Sequence, residues 1–298
     1  MEQVVVQQII NWLALGAITA LLVIGFSLLF GVLNVIHFSH GDVALTAPFI
    51  AMGVLIAMPA AGFGAAVLAA IVLVGLLGVV LDWVAIRRFR AAPPMMALVA
   101  TVALGIVLRE LIRLLFPDGS NPHPFPRLFE GTAMTLAGAP VSWLVAAMIG
   151  CSVLMMVALT VVLYATPLGM RIRAVSQDLE MARLAGIDPN RVFQATFFIA
   201  SATGAVGGMF YASYVGLMRF DMGIIAGLLG FSAAVIGGLG NMAGAIIGSL
   251  VLAGLETLAQ AILPDGAAYR LVVAFSLVLV VLVFRPAGLL GRVSVAKV

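Results

Sequence analysis

Long apolar runs separated by brief polar interruptions dominate this sequence. Ile9–Leu33 is the first, and a polar stretch from Asn34 to Asp42 separates it from a short second run, Val43–Met58. Gly62–Ile86, Met95–Phe116, Val141–Tyr164 and Val192–Tyr214 follow, then Met222–Leu239, Asn241–Leu263 and Ala268–Phe284. Unbroken runs of this kind predict membrane-crossing helices, about nine of them at ~20 residues each, with the second and seventh on the short side. Ala91-Ala-Pro-Pro94 predicts a turn, and the Pro- and Gly-rich interval Pro117–Pro140 a loop that is partly hairpin.

One interruption differs from the rest. Thr166–Arg191 holds Arg171, Arg173, Asp178, Glu180, Arg183, Asp188 and Arg191 within less than a tenth of the chain. Met170–Leu184 contains no Gly or Pro, which predicts one short amphipathic helix. Its apolar side is expected to be Met170, Ala174, Met181, Leu184 and Ala185, with Arg171, Asp178 and Arg183 elsewhere. Gly186 suits a left-handed C-cap, Asp188 an N-cap, and Pro189 the first turn of the next helix. Two readings stand side by side: a solvated loop on the membrane surface, or a docking element for a soluble partner.

Composition fixes the class. Apolar residues make up 64% of the chain and charged residues 9%, against about a quarter charged in soluble domains. Backbone groups in hydrocarbon must be satisfied within each segment, so the fold class expected is an all-α polytopic membrane bundle, one domain over residues 1–298. The apolar runs lack the alternation of a β-barrel. Cys151 is the only cysteine and lies in an apolar run, so it founds neither a disulfide nor a thiolate metal site. The N-terminus has no basic n-region, which makes the first run a permanent span.

The net charge of +3 points to membrane topology rather than to nucleic acid. Arg87, Arg88, Arg90, Arg171, Arg173, Arg183, Arg191, Arg285, Arg292 and Lys297 fall in one set of loops; Arg109, Arg113, Arg127, Arg219 and Arg270 fall in the alternate set or at span ends. The richer set is expected in the cytoplasm, with the N-terminus outside and the C-terminus inside.

Asn34, His37, Ser39, His40 and Asp42 form an expensive cluster to place beside hydrocarbon. A second disrupted region, Gly227–Gly244, contains Ser232, Gly237 and Gly238. Broken segments in opposite halves point to a translocation route, while a plain surface loop is the alternative for the first. His37, His40 and Asp42 make a poor zinc set. The spacing of Gly240, Gly244 and Gly248, and of Gly204 and Gly208, suits close helix packing or a dimer contact. Arg109 and Arg113 read as anchors whose stems snorkel outward, and Glu256 stands alone in its span. No P-loop, H-E-x-x-H or G-x-S-x-G is present, so no enzyme activity, cofactor or metal site is expected.

Three stretches resemble permease subunits of branched-chain amino acid ABC importers. They are Gly25-Phe-Ser-Leu-Leu-Phe-Gly-Val-Leu-Asn-Val-Ile-His-Phe-Ser-His-Gly-Asp42, the L-G-x-R-x-R-A-V-x-Q-D of Leu168–Asp178 with A-x-L-x-G-I at Ala182–Ile187, and Phe231–Gly248. The resemblance is nearest to the subunit that pairs with a second, related permease. It implies a pore of two permease chains (that relative, or a copy of this chain), two cytoplasmic ATPase subunits that bind ATP, and an extracytoplasmic solute-binding protein. It also implies a coupling helix, about Leu168–Leu184, with Leu168, Gly169, Arg171, Arg173, Asp178, Ala182 and Gly186 as coupling residues. The cargo implied is a branched-chain or other hydrophobic amino acid. Urea, amides or another small polar solute, and a self-sufficient carrier or channel, are the alternatives.

Overall fold

The computed structural model describes residues 2–90, 93–263 and 266–291. The turn expected at Ala91-Ala92 and the basic tail residues Arg292 and Lys297 lie outside them. The helices are α1 (Glu2–Leu33), α2 (His40–Ala57), α3 (Gly62–Leu81), α4 (Pro94–Leu115), α5 (Trp143–Ala165), α6 (Pro167–Gln177), α7 (Leu179–Leu184), α8 (Pro189–Val215), α9 (Met222–Gly237), α10 (Met242–Ile262) and α11 (Arg270–Phe284). A π-helical turn, Asp82–Ile86, and one further α turn, Arg87–Phe89, continue α3. Seven helices among the described residues are long and apolar enough to cross a membrane. The nine runs of the sequence thus all become helices, but α9 and α11 have only 16 and 15 residues. The last run is shorter than expected because Gly266–Tyr269 coils into a 3₁₀ turn instead of joining α11.

The expected hairpin is present. β2 (Thr132–Leu136) pairs antiparallel with β3 (Ala139–Ser142), and Ala137 and Gly138, both at positive φ, make the turn. β1 (His123–Pro124) pairs with β4 (Leu217–Met218) just beyond α8. Gln3 Nε2 donates to Gly138 O, which puts the start of α1 at this end of the bundle. The opposite end holds Thr166–Arg191, the turn after α3, and the segment after α11. There Leu289 N and Leu290 N donate to Ile236 O and Gly237 O.

Small residues set the packing. α1 runs through the centre, against α8 on one side and α10 on the other. Both glycine ridges pack inside the chain. Gly244 and Gly248 lie on Gly237 and Ala233 of α9, and Gly204 and Gly208 lie on His40 and Ala44 of α2. Pro48 lacks an N–H, so it leaves the carbonyl four residues earlier, that of Ala44, without its helical donor. Gly208 sits directly against that oxygen, where only a residue without a side chain fits and a Cα–H contact replaces part of the lost bond.

A methyl group at Gly208 would strike backbone, whereas one at Gly53 would enter open space. We expect Gly208→Ala to destabilise the detergent-solubilised protein by about 1–3 kcal/mol, the scale of overpacking. Gly53→Ala should change stability by less than about 1 kcal/mol. Thermal unfolding followed by tryptophan fluorescence checks this, and equal midpoints for the two variants would contradict it.

Candidate functional site

The interruption between α1 and α2 folds back into the bundle. Asn34 ends α1 in the left-handed region, at φ 53°, and its N–H still closes onto Phe30 O. The chain then runs back alongside α1, and His40 Nε2 donates to Leu22 O at 3.2 Å. Leu22 lies about 16 Å from Leu33 along a helix rising about 1.5 Å per residue. Helix α2 therefore starts deep inside the bundle rather than at its surface. His37, Ser39, His40 and Asp42 are all buried.

Most of the polar side chains there meet a protein partner. Arg109 Nη1, on α4, donates to Asp42 Oδ1 at 3.0 Å and Oδ2 at 2.9 Å. Phe38 N donates to Thr101 Oγ1, also on α4, at 3.2 Å. Ser39 Oγ and His37 Nε2 share a hydrogen bond at 3.3 Å, and the His37 ring stands edge-on to Phe197. His37 Nδ1 is buried here without a partner among the described residues, as is the Ser27 hydroxyl on α1. Gly105 of α4 and Gly223 of α9 press against the Asp42 carboxylate, and Gly41 against Gly227, so three helices converge on one ion pair.

Not every residue singled out in the sequence joins this centre. Asn34 is exposed at the helix end. Ser232 is buried in α9 with its hydroxyl turned onto Leu228 O. Gly237 packs on Gly244, and Gly238, at φ 109°, lies under Gly291. Arg109 was expected to snorkel outward as an anchor; the structure instead turns it inward onto Asp42, because a buried carboxylate needs a cation more than bulk water does. Thr101 and Arg109 are the residues that sequence reasoning missed. Glu256 is not alone either: Arg270 Nε donates to it at 2.6 Å.

Thr166–Arg191 departs from the single helix expected. Asp178 breaks it, accepting from Glu180 N and Met181 N as the N-cap of α7, which a carboxylate does better than it serves a helix interior. Gly186 is left-handed, at φ 78°; Asp188 caps α8, and Pro189 opens it, as expected. The buried face is the opposite of the one expected. Ile172, Val175 and Ala182 are buried with Val192 and Phe193 of α8, whereas Met170, Met181 and Leu184 are 60%, 61% and 79% exposed.

Within this segment the proposed coupling residues divide. Gly169 is jammed under the last carbonyls of α5. Arg173 donates to Leu163 O and lies over the Tyr164 ring, so it ties α6 to α5. Leu168, Arg171 and Gly186, with Asp188, Arg191 and Val192, line one open cleft of about 390 Å³. Arg171 is exposed there and Ala182 is buried beneath.

A family profile described as branched-chain amino acid transport system, permease component, matches residues 8–282. Among curated relatives, the high-affinity branched-chain amino acid transport system permease protein LivH of Escherichia coli K12 is 33% identical over 98% of this chain and 97% of its own length. LivH of Salmonella typhimurium is 32% identical over the same shares. The corresponding permease protein BraD of Pseudomonas aeruginosa is 31% identical over 98% of this chain and 97% of its length.

Removing one member of a buried pair leaves the other uncompensated, at a cost of about 3–5 kcal/mol. We expect Arg109→Ala to lose folding stability on that scale. Asp42→Asn combined with Arg109→Gln, which leaves no lone charge, should recover most of it. Thermal unfolding of the singles and the double checks this; additive losses would refute the pairing.

Proposed function

The chain belongs to the family of branched-chain amino acid transport system permease components, and on that premise we propose that it is the membrane-spanning half-pore of an ATP-driven amino acid importer. A second permease chain, related or identical, completes the pore. Two ATPase subunits bind ATP and grip Thr166–Arg191 from the cytoplasm, and an extracytoplasmic binding protein delivers the cargo. The N-terminus and β2–β3 hairpin face outside, which agrees with eight of the described arginines lying at the opposite end. The chain lies in the cell's inner membrane and performs no catalysis itself.

The observation that carries this reading is the inverted face of α6 and α7. A segment at the arginine-rich end that turns Met170, Met181 and Leu184 outward beside an open cleft is built to be covered by something. In water such apolar area is a cost unless a partner removes it. The same segment is fixed to α5 by Gly169 and Arg173 and runs straight into α8 through one capped turn. A rigid segment so attached moves α8 when its partner moves, and a packed bundle answers such movement by switching between discrete arrangements.

Inside the bundle, the reading places the pathway at the deep start of α2. A helix N-terminus carries partial positive charge, and discontinuous helices in transporters aim such ends at anionic groups of the cargo. With Arg109 and Asp42 adjacent, the centre offers one group of each sign, which suits a zwitterion. His37 Nδ1 and Ser27 Oγ supply unused polar capacity.

Met181→Asp with Leu184→Asp leaves the buried face of the segment untouched. In the assembled importer we expect this variant to fold normally, yet to lose ATPase subunits on purification and to cut ATP-driven amino acid uptake in proteoliposomes roughly tenfold or more, as when central interface anchors are removed. Undiminished ATPase retention would overturn the docking role. Uptake by the purified chain alone, with no ATPase present, would overturn the importer reading.

A further inference from the structure

The turn after α3 contains a buried cluster that neither the polar centre nor the docking surface uses. Asp82 opens the π-helical turn and its side chain is completely buried. It is ion-paired with Arg90, eight residues on. The same guanidinium reaches across to α8: Nη1 donates to Asn190 Oδ1 at 3.1 Å, and its central carbon lies 3.9 Å from the centre of the Phe193 ring. Arg90 thus joins a charge on one helix to an amide and an aromatic face on another.

Phe193 is shared between two neighbourhoods. It belongs to the apolar cluster that seats Ile172, Val175 and Ala182, and Arg90 stacks on its ring. Arg90 also lies just before α4, the helix that carries Arg109 to Asp42. Among the described residues α4 packs mainly against α2, through Leu108 and Ile112 as well as the Arg109–Asp42 and Thr101–Phe38 contacts. Its start packs against the π-helical turn and the Arg87–Phe89 turn.

We infer that Arg90 is a positioning residue for transport: it clasps the start of α8 to the π-helical turn after α3, which packs on the start of α4, so that movement of the docking segment reaches α4 and the Asp42–Arg109 pair. This rests on the importer reading above. A planar guanidinium suits the role, since it can pair with a carboxylate, donate to an amide and stack on a ring at once; an ammonium can neutralise Asp82 but cannot hold all three. A merely structural ion pair would need neither Asn190 nor Phe193.

Arg90→Lys retains the charge facing Asp82, and Asn190→Ala breaks the link to α8 without exposing a buried charge. Both are tested in the complete importer, with its ATPases and binding protein, in proteoliposomes. We expect normal assembly and normal basal ATP hydrolysis, with amino acid moved per ATP reduced roughly fivefold or more, the scale of a lost coupling free energy. An unchanged transport-to-hydrolysis ratio in both variants overturns the proposal, as does assembly failing in step with transport. A second readout separates the clasp from the importer reading: spin labels on the docking segment and at Leu115, the outer end of α4. The label on the docking segment goes at Gln177, the exposed last residue of α6, which leaves the docking side chain of Leu184 intact. The distance from there to Leu115 should change on nucleotide binding in the otherwise unmodified complex and stay fixed in Arg90→Lys. Should the parent complex move no amino acid, the importer reading fails, and the labels still decide the clasp. A nucleotide response that survives Arg90→Lys, or one absent from the parent, overturns it.

Discussion

In an environment without water, a helix that stops inside the bundle must find protein partners for every polar group it exposes. This constraint organises the polar centre. The chain between α1 and α2 breaks regular structure over residues 34–39 and still turns His37 and Ser39 into the protein, where several of its polar groups are met by neighbours. Thr101 receives Phe38 N, Leu22 O receives His40, and Arg109 takes both oxygens of Asp42. The glycines at 41, 105, 223 and 227 follow from the same requirement. A carboxylate with its counter-ion needs room where three helices meet, and residues without side chains are what allow their backbones to approach.

The end at Thr166–Arg191 obeys the opposite constraint. Water is available there, so charges need no partners, and apolar side chains are the ones that require explanation. The segment buries one apolar face on α8 and leaves a second one outside. That arrangement makes little sense for an isolated loop and good sense for a segment held between two bodies. Its two helices, split by the Asp178 cap, let the buried set come from Ile172 and Val175 on one and Ala182 on the other.

Hydrophobic pattern revealed much of this, and its failures have physical causes. All nine apolar runs became helices because an unbroken run in hydrocarbon has no other way to satisfy its backbone. The caps at Asp188 and Gly186 were readable because their chemistry is local. The face of α6–α7 was misread because two apolar faces coexist, and periodicity cannot say which one the rest of the protein covers. Arg109 was misread because its partner lies 67 positions away in sequence, and only the fold brings Asp42 to it. Asp82 did leave a signal: a lone carboxylate inside an apolar run is costly enough to demand a cation. Which cation answers, and what else that cation holds, depends on how α3 meets α8.

Taken with the fold, these placements leave few routes by which the two ends of the molecule can communicate. α8 is the common wall, packing on α1, α2 and α3 and beginning within Thr166–Arg191. Along that wall, Gly204 and Gly208 fit so closely against α2 that sliding between the two is sterically expensive. A shift of α8 therefore carries the deep end of α2 with it. α4 is different, because it does not share this close-packed wall and meets the polar centre through Arg109 and Thr101. Moving α2 alone would stretch the Asp42–Arg109 pair and leave a charge uncompensated in a dry interior. Moving α2 and α4 together preserves the pair. On the proposed importer mechanism, the bundle has a strong electrostatic reason to move both helices together, and the contact of Arg90 with Asn190 and Phe193 is where the proposed clasp would join them.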